Sequence, residues 1–448
     1  MPEDLFLFTE DNIDEQLKTA PFQLGCYTLR FYTEQGKPVK KVTDTVSEFY
    51  LSPSGGTLRD STFNLVFYDS RFDTYRGFIP PHTGRAHPVF RYNEPIAPYT
   101  TIGLGGLARV FSPCGRVDDL RNALSHARGE GIPVQVLAGG SNILFADRGF
   151  DGMVVKVDIT GLHSEERSDG VEVVAGAGEP WDGVVAYAIS RGWGGIECLS
   201  GIPGSVGATP VQNVGAYGQE VSETIVSVSA LERATLREIT FTGKECLFGY
   251  RRSRFKAEDR DRFVITAVRF LLRPNAGVDA RYPELRRTLA EGADISSLRP
   301  GGETLAAVRN AVLALRRAKS MLVDPSDGNS RSVGSFFTNP IVSSSEFHRI
   351  LERWAGEGDR SVMPSYPASG GIKLSAAWLV EKSGFTKGLR RGGVGISQHH
   401  ALALINVNGT TEEILALEGE IRGAVAARFG VELEREPVVV SASGEAGA

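Results

Sequence analysis

Gly201-Ile202-Pro203-Gly204-Ser205-Val206-Gly207-Ala208-Thr209-Pro210-Val211-Gln212-Asn213-Val214-Gly215-Ala216-Tyr217-Gly218 is the stretch on which the fold turns. Five glycines and two prolines in 18 residues exclude a regular helix or a central strand. The composition favours a tight, rigid coil whose backbone N–H groups can approach a ligand closely, because few Cβ atoms stand in the way. Apolar residues between the glycines argue against a flexible linker, which would be rich in serine and charge. The stretch reads as an ordered, buried loop built around a large anionic or planar ligand. A glycine-rich connection between two strands, with no ligand, is the plainer alternative.

Working outward, 448 residues are too many for one small core and imply about two to four domains. A hydrophobic content of 41% and a charged content of 23% are ordinary for a globular chain. The net charge of -5 gives no support to nucleic-acid or membrane-surface binding. The acidic start Met1-Pro2-Glu3-Asp4 reads as neither a signal nor a transit peptide, and no apolar run is long enough to span a membrane. Cys26, Cys114, Cys198 and Cys246 lack CxxC spacing, which disfavours a disulfide framework or a zinc site. The expected compartment is the cytoplasm, and no metal is expected.

Residues 1–95 have their own texture. Alternating pieces such as Cys26-Tyr27-Thr28-Leu29-Arg30-Phe31-Tyr32 and Phe63-Asn64-Leu65-Val66-Phe67-Tyr68 are separated by turn signals at Glu34-Gln35-Gly36, Ser52-Pro53-Ser54-Gly55-Gly56 and Ile79-Pro80-Pro81. They predict a β-rich module, with the junction near Pro95–Pro98. From Thr100 helices and strands alternate. Val117, Leu120, Ala123, Leu124 and Ala127 fall at helical spacing, with Asp118 and Asp119 at the N-terminal end and Gly129 and Gly131 as stops. Strands are predicted at 134–137, 153–157, 171–175, 225–228 and 264–272, and a short helix between Pro180 and Gly192. The C-terminal third carries helices through Leu305–Leu315 and Phe347–Trp354. A third helix starts at Thr410 with a capping box to Glu413, between strands at Ala401–Ile405 and Val438–Val440.

Several motifs can carry chemistry. Gly139-Gly140-Ser141-Asn142 directly follows a strand and offers successive N–H donors plus a hydroxyl, which suits a pyrophosphate or forms a plain tight turn. It is not GxGxxG and no helix opens after it, so a Rossmann site is disfavoured. Phe248-Gly249-Tyr250-Arg251-Arg252-Ser253-Arg254-Phe255-Lys256 packs four cations among three aromatics, fitting either carboxylate or phosphate recognition or a solvated basic edge before Glu258-Asp259. In Gly334-Ser335-Phe336-Phe337-Thr338-Asn339-Pro340 a hydroxyl on a rigid turn can serve as a proton donor, or simply as a turn serine. The motif lacks a GxSxG elbow. Glu436, in Leu433-Glu434-Arg435-Glu436-Pro437, opens the last strand and matters if it faces a ligand. Adjacent His399 and His400 project to opposite sides of an extended segment and read as core or surface histidines.

Together these pieces resemble the UDP-N-acetylenolpyruvoylglucosamine reductases, flavoenzymes of peptidoglycan-precursor synthesis also called UDP-N-acetylmuramate dehydrogenases. The likeness runs from Tyr99-Thr100-Thr101-Ile102-Gly103-Leu104-Gly105-Gly106 to about Ser443, through Leu137–Leu144, Ile202–Gly218, Gly249–Lys256, Gly334–Pro340 and Glu436, in order. It implies an α+β chain with an FAD-binding fold of the vanillyl-alcohol-oxidase (PCMH) type. It implies FAD subdomains at 96–158 and 159–275 and a UDP-sugar-binding α+β domain at 276–448, while the β-rich extension at 1–95 has no family counterpart. It also implies NADPH reducing FAD, and reduction of the enolpyruvyl ether of UDP-N-acetylglucosamine enolpyruvate to the lactyl ether of UDP-N-acetylmuramate. By the same resemblance FAD is held by Gly139, Gly140, Ser141, Asn142, Gly201, Ile202, Pro203, Gly204, Gly207, Ala208, Gln212, Asn213, Gly215, Ala216 and Tyr217. Arg251 and Glu436 match the positions that polarise the substrate carboxylate, and Ser335 the proton donor. Tyr282 and Lys319 match the diphosphate clamp, and Asn339 a substrate contact.

The chain departs from the family pattern in two places. Arg252 stands where many relatives carry Asp, and Leu-Glu-Arg-Glu-Pro replaces a more usual Leu-x-Pro-Glu, so Glu436 is preferred to Glu434 by alignment to the final strand. Two alternatives stay open: a paralogous FAD oxidoreductase acting on another nucleotide-sugar or enolpyruvyl substrate, and a non-catalytic flavin or nucleotide-sugar binding module. The joint presence of Arg251, Ser335 and Glu436 counts against both. Residues 1–95 are expected to serve self-association or protein docking, or to shape the substrate entrance. Deleting them tests this. A fall in solution mass beyond the deleted segment marks assembly, whereas altered turnover at unchanged assembly marks gating.

Overall fold

Alternation of apolar and polar residues dictates the longest strand of the protein. In Phe263–Pro274 the side chains of Val264, Thr266, Val268, Phe270 and Leu272 are all buried, one residue in two, as a strand with one face on a core requires. In the computed structural model this strand is the centre of an antiparallel sheet, flanked by Gly170–Gly176 and Ile225–Glu232, with Leu162–Arg167 and Glu238–Thr242 outside them. The structure describes residues 89–277, 280–292, 299–356 and 361–443, together with the backbone of five strands between residues 28 and 78. The chain forms two compact units: Met1–Pro95 with Leu107–Val136 and Asp151–Val157, and Ile96–Gly106 with Leu137–Phe150 and Asp158–Ala448.

The first unit is built on a nine-stranded sheet. Strands Thr28–Tyr32, Pro38–Lys41, Val46–Pro53, Phe63–Asp69 and Thr74–Phe78 continue through Arg91–Pro95 and Leu107–Cys114 to Phe150–Val157 and Val134–Leu137. Arg91–Pro95 is thus an interior strand. Of the turns expected at Glu34–Gly36, Ser52–Gly56 and Ile79–Pro81, Ser52 and Pro53 instead end the strand Val46–Pro53, and the other turn residues, with Cys26, lie outside the described residues. Helix Val117–Gly129 buries Leu120, Ala123, Leu124 and Ala127, four of the five residues its spacing singled out, while Val117 at its first position is half-buried. The Asp119 carboxylate accepts from the Arg116 backbone N–H at 3.0 Å, which closes a capping box and favours the positive helix end.

The second unit holds the glycine-rich loop and the C-terminal elements. Helices Trp181–Ser190, Gly302–Ala318 and Ser344–Gly356 form where the apolar spacing predicts them. Helix Thr411–Phe429 is capped by Thr410, whose hydroxyl accepts from Glu413 N, and it ends at Gly430 with φ 67°. Its buried face (Ile414, Leu417, Ile421, Val425) joins Phe336, Phe337, Trp354, Leu379, Ile396 and Leu404 in one core. That core backs a four-stranded sheet of Ser332–Ser335, Ala403–Asn406, Val394–Ile396 and Arg390–Arg391.

Three sequence readings need adjustment. The strand expected at Ala401–Ile405 begins at Ala403, because Ala403 N donates back to His400 O at 3.1 Å and closes a turn first. Glu436 precedes the last strand, which starts at Val438 beyond Pro437 and lies parallel to Ile143–Phe145. The polar strands Leu162–Arg167 and Glu238–Thr242 carry no strong apolar alternation. They form because a neighbouring strand supplies the hydrogen-bond ladder.

A buried ion pair fixes the approach to that last strand. Glu418, 2% exposed in its side chain, receives Arg435 Nε at 2.8 and 2.9 Å and Arg435 Nη2 at 2.7 Å. Removing Arg435 leaves a buried carboxylate, and R435M is expected to lose about 3–5 kcal/mol of stability, whereas R435M/E418M loses much less. Denaturant titration of the two variants checks this; equal losses would refute a buried-charge penalty.

Candidate active site

Glycines bring two loops into backbone contact. A Cβ on Gly139 would lie 2.4 Å from Gly204 Cα and 2.9 Å from Ser205 N. Gly140 adopts φ +66°, and a Cβ there would lie 1.9 Å from Tyr99 O. No side chain fits at either position. Ser141 Oγ donates to Pro203 O at 3.0 Å, so the 139–142 turn and the start of the 201–218 loop are pinned together. Gly207 lies equally close to Ala177, whose Cβ would be 2.7 Å from an added Cβ. Inside this cradle the Ser205 hydroxyl is buried without a hydrogen-bond partner. An unsatisfied buried hydroxyl amid close-packed backbone is stabilised by an anionic acceptor. The residues present therefore fit the diphosphate of FAD. Ser205 was not singled out from sequence, since nothing in its spacing marks which hydroxyl of the loop turns inward.

Further along the loop the contacts run toward Glu436. Gln212 Nε2 donates to Glu436 Oε1 at 3.2 Å, and Asn142 Nδ2 donates to Gln212 Oε1 at 3.2 Å and Glu436 O at 3.3 Å. Asn213, at φ 46°, spends its carboxamide on Glu220, Ser222 N and Gly249 O. This last bond ties the loop to the turn Gly249-Tyr250-Arg251-Arg252, where Gly249 and Arg252 exchange backbone bonds of 3.0 and 3.1 Å. Arg251 takes φ 52°, an arrangement costing a non-glycine residue on the order of 1 kcal/mol or more. Lys256 Nζ holds its carbonyl at 3.2 Å. So held, Arg251 sends Nη2 to Gly215 O at 3.1 Å and Nε to within 3.0 Å of Glu436 Oε1, an ion pair without hydrogen-bond alignment. Burial raises the Glu436 carboxyl above its ordinary value; Arg251 and Lys256 oppose that shift without overcoming it.

Ser335 reaches the same region through one shared residue. The Phe336 backbone accepts from Glu436 N at 2.9 Å and donates to Leu402 O at 2.8 Å, with the Phe336 ring fully buried. Gly334 at φ +78° turns the chain just before Ser335. The side-chain partner of Ser335 is His400, whose Nε2 lies 3.2 Å from Oγ. His400 is thus no anonymous core or surface histidine. Burial, then Lys319, Lys387 and Arg316, push it down to about 4, with Glu284 opposing. Only the long-range pairing of the 332–335 and 403–406 strands reveals this contact.

The remaining expected residues sit nearby. Tyr217, at φ 50°, packs its ring edge-on against half-exposed Tyr282 at 5.7 Å, and burial pushes its phenol up to about 12. Lys319 pairs with Glu284 at 2.7 Å. Asn339 accepts from Ala376 N at 2.9 Å. Of the nine-residue basic motif, Arg252 turns to Glu258 and Arg254 to Asp259, which leaves Arg251 as the cation directed at the loop.

Two family models match: a UDP-N-acetylenolpyruvoylglucosamine reductase C-terminal domain over residues 324–440, and an FAD binding domain over residues 109–235. The UDP-N-acetylenolpyruvoylglucosamine reductase of Thermobifida fusca is 47% identical over 358 residues, covering 78% of this chain and 98% of that protein. The chain belongs to the UDP-N-acetylenolpyruvoylglucosamine reductase family. The family member from Streptomyces avermitilis is 45% identical over 80% of this chain and 97% of its own, and the Mycolicibacterium smegmatis reductase 43% over 77% and 94%. The crystal structure of the Thermus caldophilus reductase shares the fold, with a TM-score of 0.51 at 23% identity, covering 77% of this chain and 96% of that one. The expected α+β class and FAD-binding fold stand with these matches.

The raised Glu436 pKa has a signed consequence. Folding takes up a proton there between the ordinary value of 4.5 and the raised one, so the wild-type protein loses stability as pH rises through that interval. E436Q has no such proton. Its stability minus that of wild type should climb with pH across the interval and level off above it, read from thermal melts at closely spaced pH. A difference independent of pH would exclude the burial effect.

Proposed function

We propose that this chain is an FAD-dependent, NADPH-using reductase that converts UDP-N-acetylglucosamine enolpyruvate to UDP-N-acetylmuramate in peptidoglycan-precursor synthesis. One observation carries the reading: in a chain of this reductase family, the Arg251–Glu436 ion pair is joined through the Phe336 backbone to Ser335. Cation, buried carboxyl and hydroxyl are what a carboxylate-bearing double bond needs when it is reduced. The cofactor residues are those that the resemblance names within 139–142 and 201–217, and Ser205 joins them on its buried, unpartnered hydroxyl. We assign FAD subdomains to 96–158 and 159–275 and the UDP-sugar domain to 276–448. Self-association or docking falls to residues 1–95, and the cytoplasm is the compartment.

The chemistry supplied by bound FAD, once reduced by NADPH, is a hydride for the enolpyruvyl double bond. Addition at the terminal carbon puts carbanion character beside the substrate carboxylate. Arg251 brings a permanent positive charge to that carboxylate, and its strained turn holds the guanidinium in place before substrate arrives. Glu436, with its pKa raised by burial, hydrogen-bonds the same group as the charge shifts into an enol-like form. Ser335 donates its proton to the carbon that carries the charge. Tyr282 and Lys319 take the diphosphate, for which Lys319 exchanges its Glu284 partner, and Asn339 adds a substrate contact.

Anaerobic mixing first with NADPH and then with the enolpyruvyl sugar, followed by flavin absorbance, tests the reading. Bleaching by NADPH and recovery on adding the sugar are expected. Bleaching without recovery would sink the assignment. S335A should keep flavin reduction by NADPH and slow the sugar-dependent recovery by about 10²–10⁴-fold, as loss of a general acid does. Equal losses in both half-reactions would point to a structural serine.

A further inference from the structure

The adjacent histidines part to meet two different serines. His399 Nδ1 lies 2.7 Å from Ser320 Oγ, and His400 Nε2 lies 3.2 Å from Ser335 Oγ. The second contact is built into the sheet. His400 begins the turn that leads into Ala403–Asn406, Ala403 N donates to His400 O at 3.1 Å, and Ala403 is the register partner of Ser335. The ring and the hydroxyl are therefore fixed by the same ladder.

A serine hydroxyl has one hydrogen and two lone pairs. To protonate a carbon, that hydrogen must point at the substrate, so a neighbouring imidazole can assist only by donating an N–H into a lone pair. The ring is neutral at physiological pH, since burial and the cations Lys319, Lys387 and Arg316 outweigh Glu284. A neutral ring has a single N–H, and the nitrogen that carries it decides the direction of the bond. With the proton on Nδ1, Nε2 would accept the serine hydrogen and turn it away from substrate.

We propose that His400 is a positioning residue for Ser335. Its Nε2–H donates to Ser335 Oγ, aims the hydroxyl hydrogen at the substrate carbon and steadies the oxygen as the proton leaves. In that step the Ser335 O–H bond breaks and a C–H bond forms at the carbon beside the carboxylate. The oxygen keeps the electron pair, stays bonded to Nε2–H, and regains a proton from solvent water before the next turnover. His400 neither gains nor loses a proton. This rests on the reductase reading and adds to it a residue that acts through Ser335.

The test uses the FAD-loaded full chain as wild type, H400L and H400Q, measuring both half-reactions in light and heavy water alongside flavin content and thermal midpoint. H400L should keep the NADPH half-reaction and the KM for the sugar, slow the sugar half-reaction on the order of tenfold to hundredfold, and enlarge its solvent isotope effect. H400Q, whose amide N–H reaches the same oxygen, should recover most of the rate and the wild-type isotope effect. An H400L protein with wild-type rate, or a slow one with an unchanged isotope effect, overturns the inference. If H400L fails to fold or hold flavin, H400Q decides: recovery supports the inference, and a flavin-loaded H400Q as slow as S335A overturns it. A wild-type protein that NADPH reduces but the sugar does not reoxidise overturns the reductase reading and this inference together. Normal wild-type turnover beside an unaffected H400L overturns this inference alone.

Discussion

Glu436 is a carboxylate removed from water, and a buried charge persists only where other groups replace its hydration. Here the replacements come from three distant parts of the chain. Gln212 donates from the glycine-rich loop, Asn142 holds the Glu436 carbonyl from the turn after Val134–Leu137, and Arg251 approaches from its left-handed turn. Each of these groups is itself held: Asn142 by Gln212, and Arg251 by Lys256 and Gly215. Withdrawing any one leaves the carboxyl less well satisfied. The site therefore depends on the mutual satisfaction of its members, and burial outweighs the compensation, as the upward shift of Glu436 records.

Close backbone packing makes this arrangement stiff. The absence of side chains at Gly139 and Gly204 lets the two loops touch, that at Gly140 lets the turn pack on Tyr99, and Ser141 locks the loops to each other. A loop with ordinary side chains would stand off by several ångströms and could not present successive N–H groups to one diphosphate. Under the proposed function the 201–218 loop would hold the ligand, and the reacting groups would be Arg251, Ser335 and Glu436, whose backbones are fixed by a strained turn, a sheet edge and the Phe336 bridge. The Phe336 and Phe337 rings, buried in the C-terminal core, anchor the last two.

Burial tunes the titratable groups of the site in opposite directions by one cause. Desolvation disfavours charge, so the Glu436 carboxyl and the Tyr217 phenol go up while the His400 imidazole goes down. Each shift favours the uncharged form of its group, beside the Arg251 guanidinium. That planar guanidinium, a fork of N–H donors, faces Gly215 O and Glu436.

Much of this was legible in the residues themselves. Glycine spacing marked both ligand loops, because only a residue without a Cβ tolerates those contacts. Apolar periodicity located the helices at 117–129, 302–318 and 411–429, since each must bury one stripe. Motif order carried the family and the candidate residues Arg251, Ser335 and Glu436. What the sequence could not contain was partnership. That Asn213 turns to Gly249, that Lys319 meets Glu284, that Ser205 is left unsatisfied and that His400 reaches Ser335 all follow from chain segments brought together by folding. Local residue pattern determines where the chain bends and which face it buries. Only tertiary packing determines which polar group answers which, because a hydrogen bond is set by distance and direction in space.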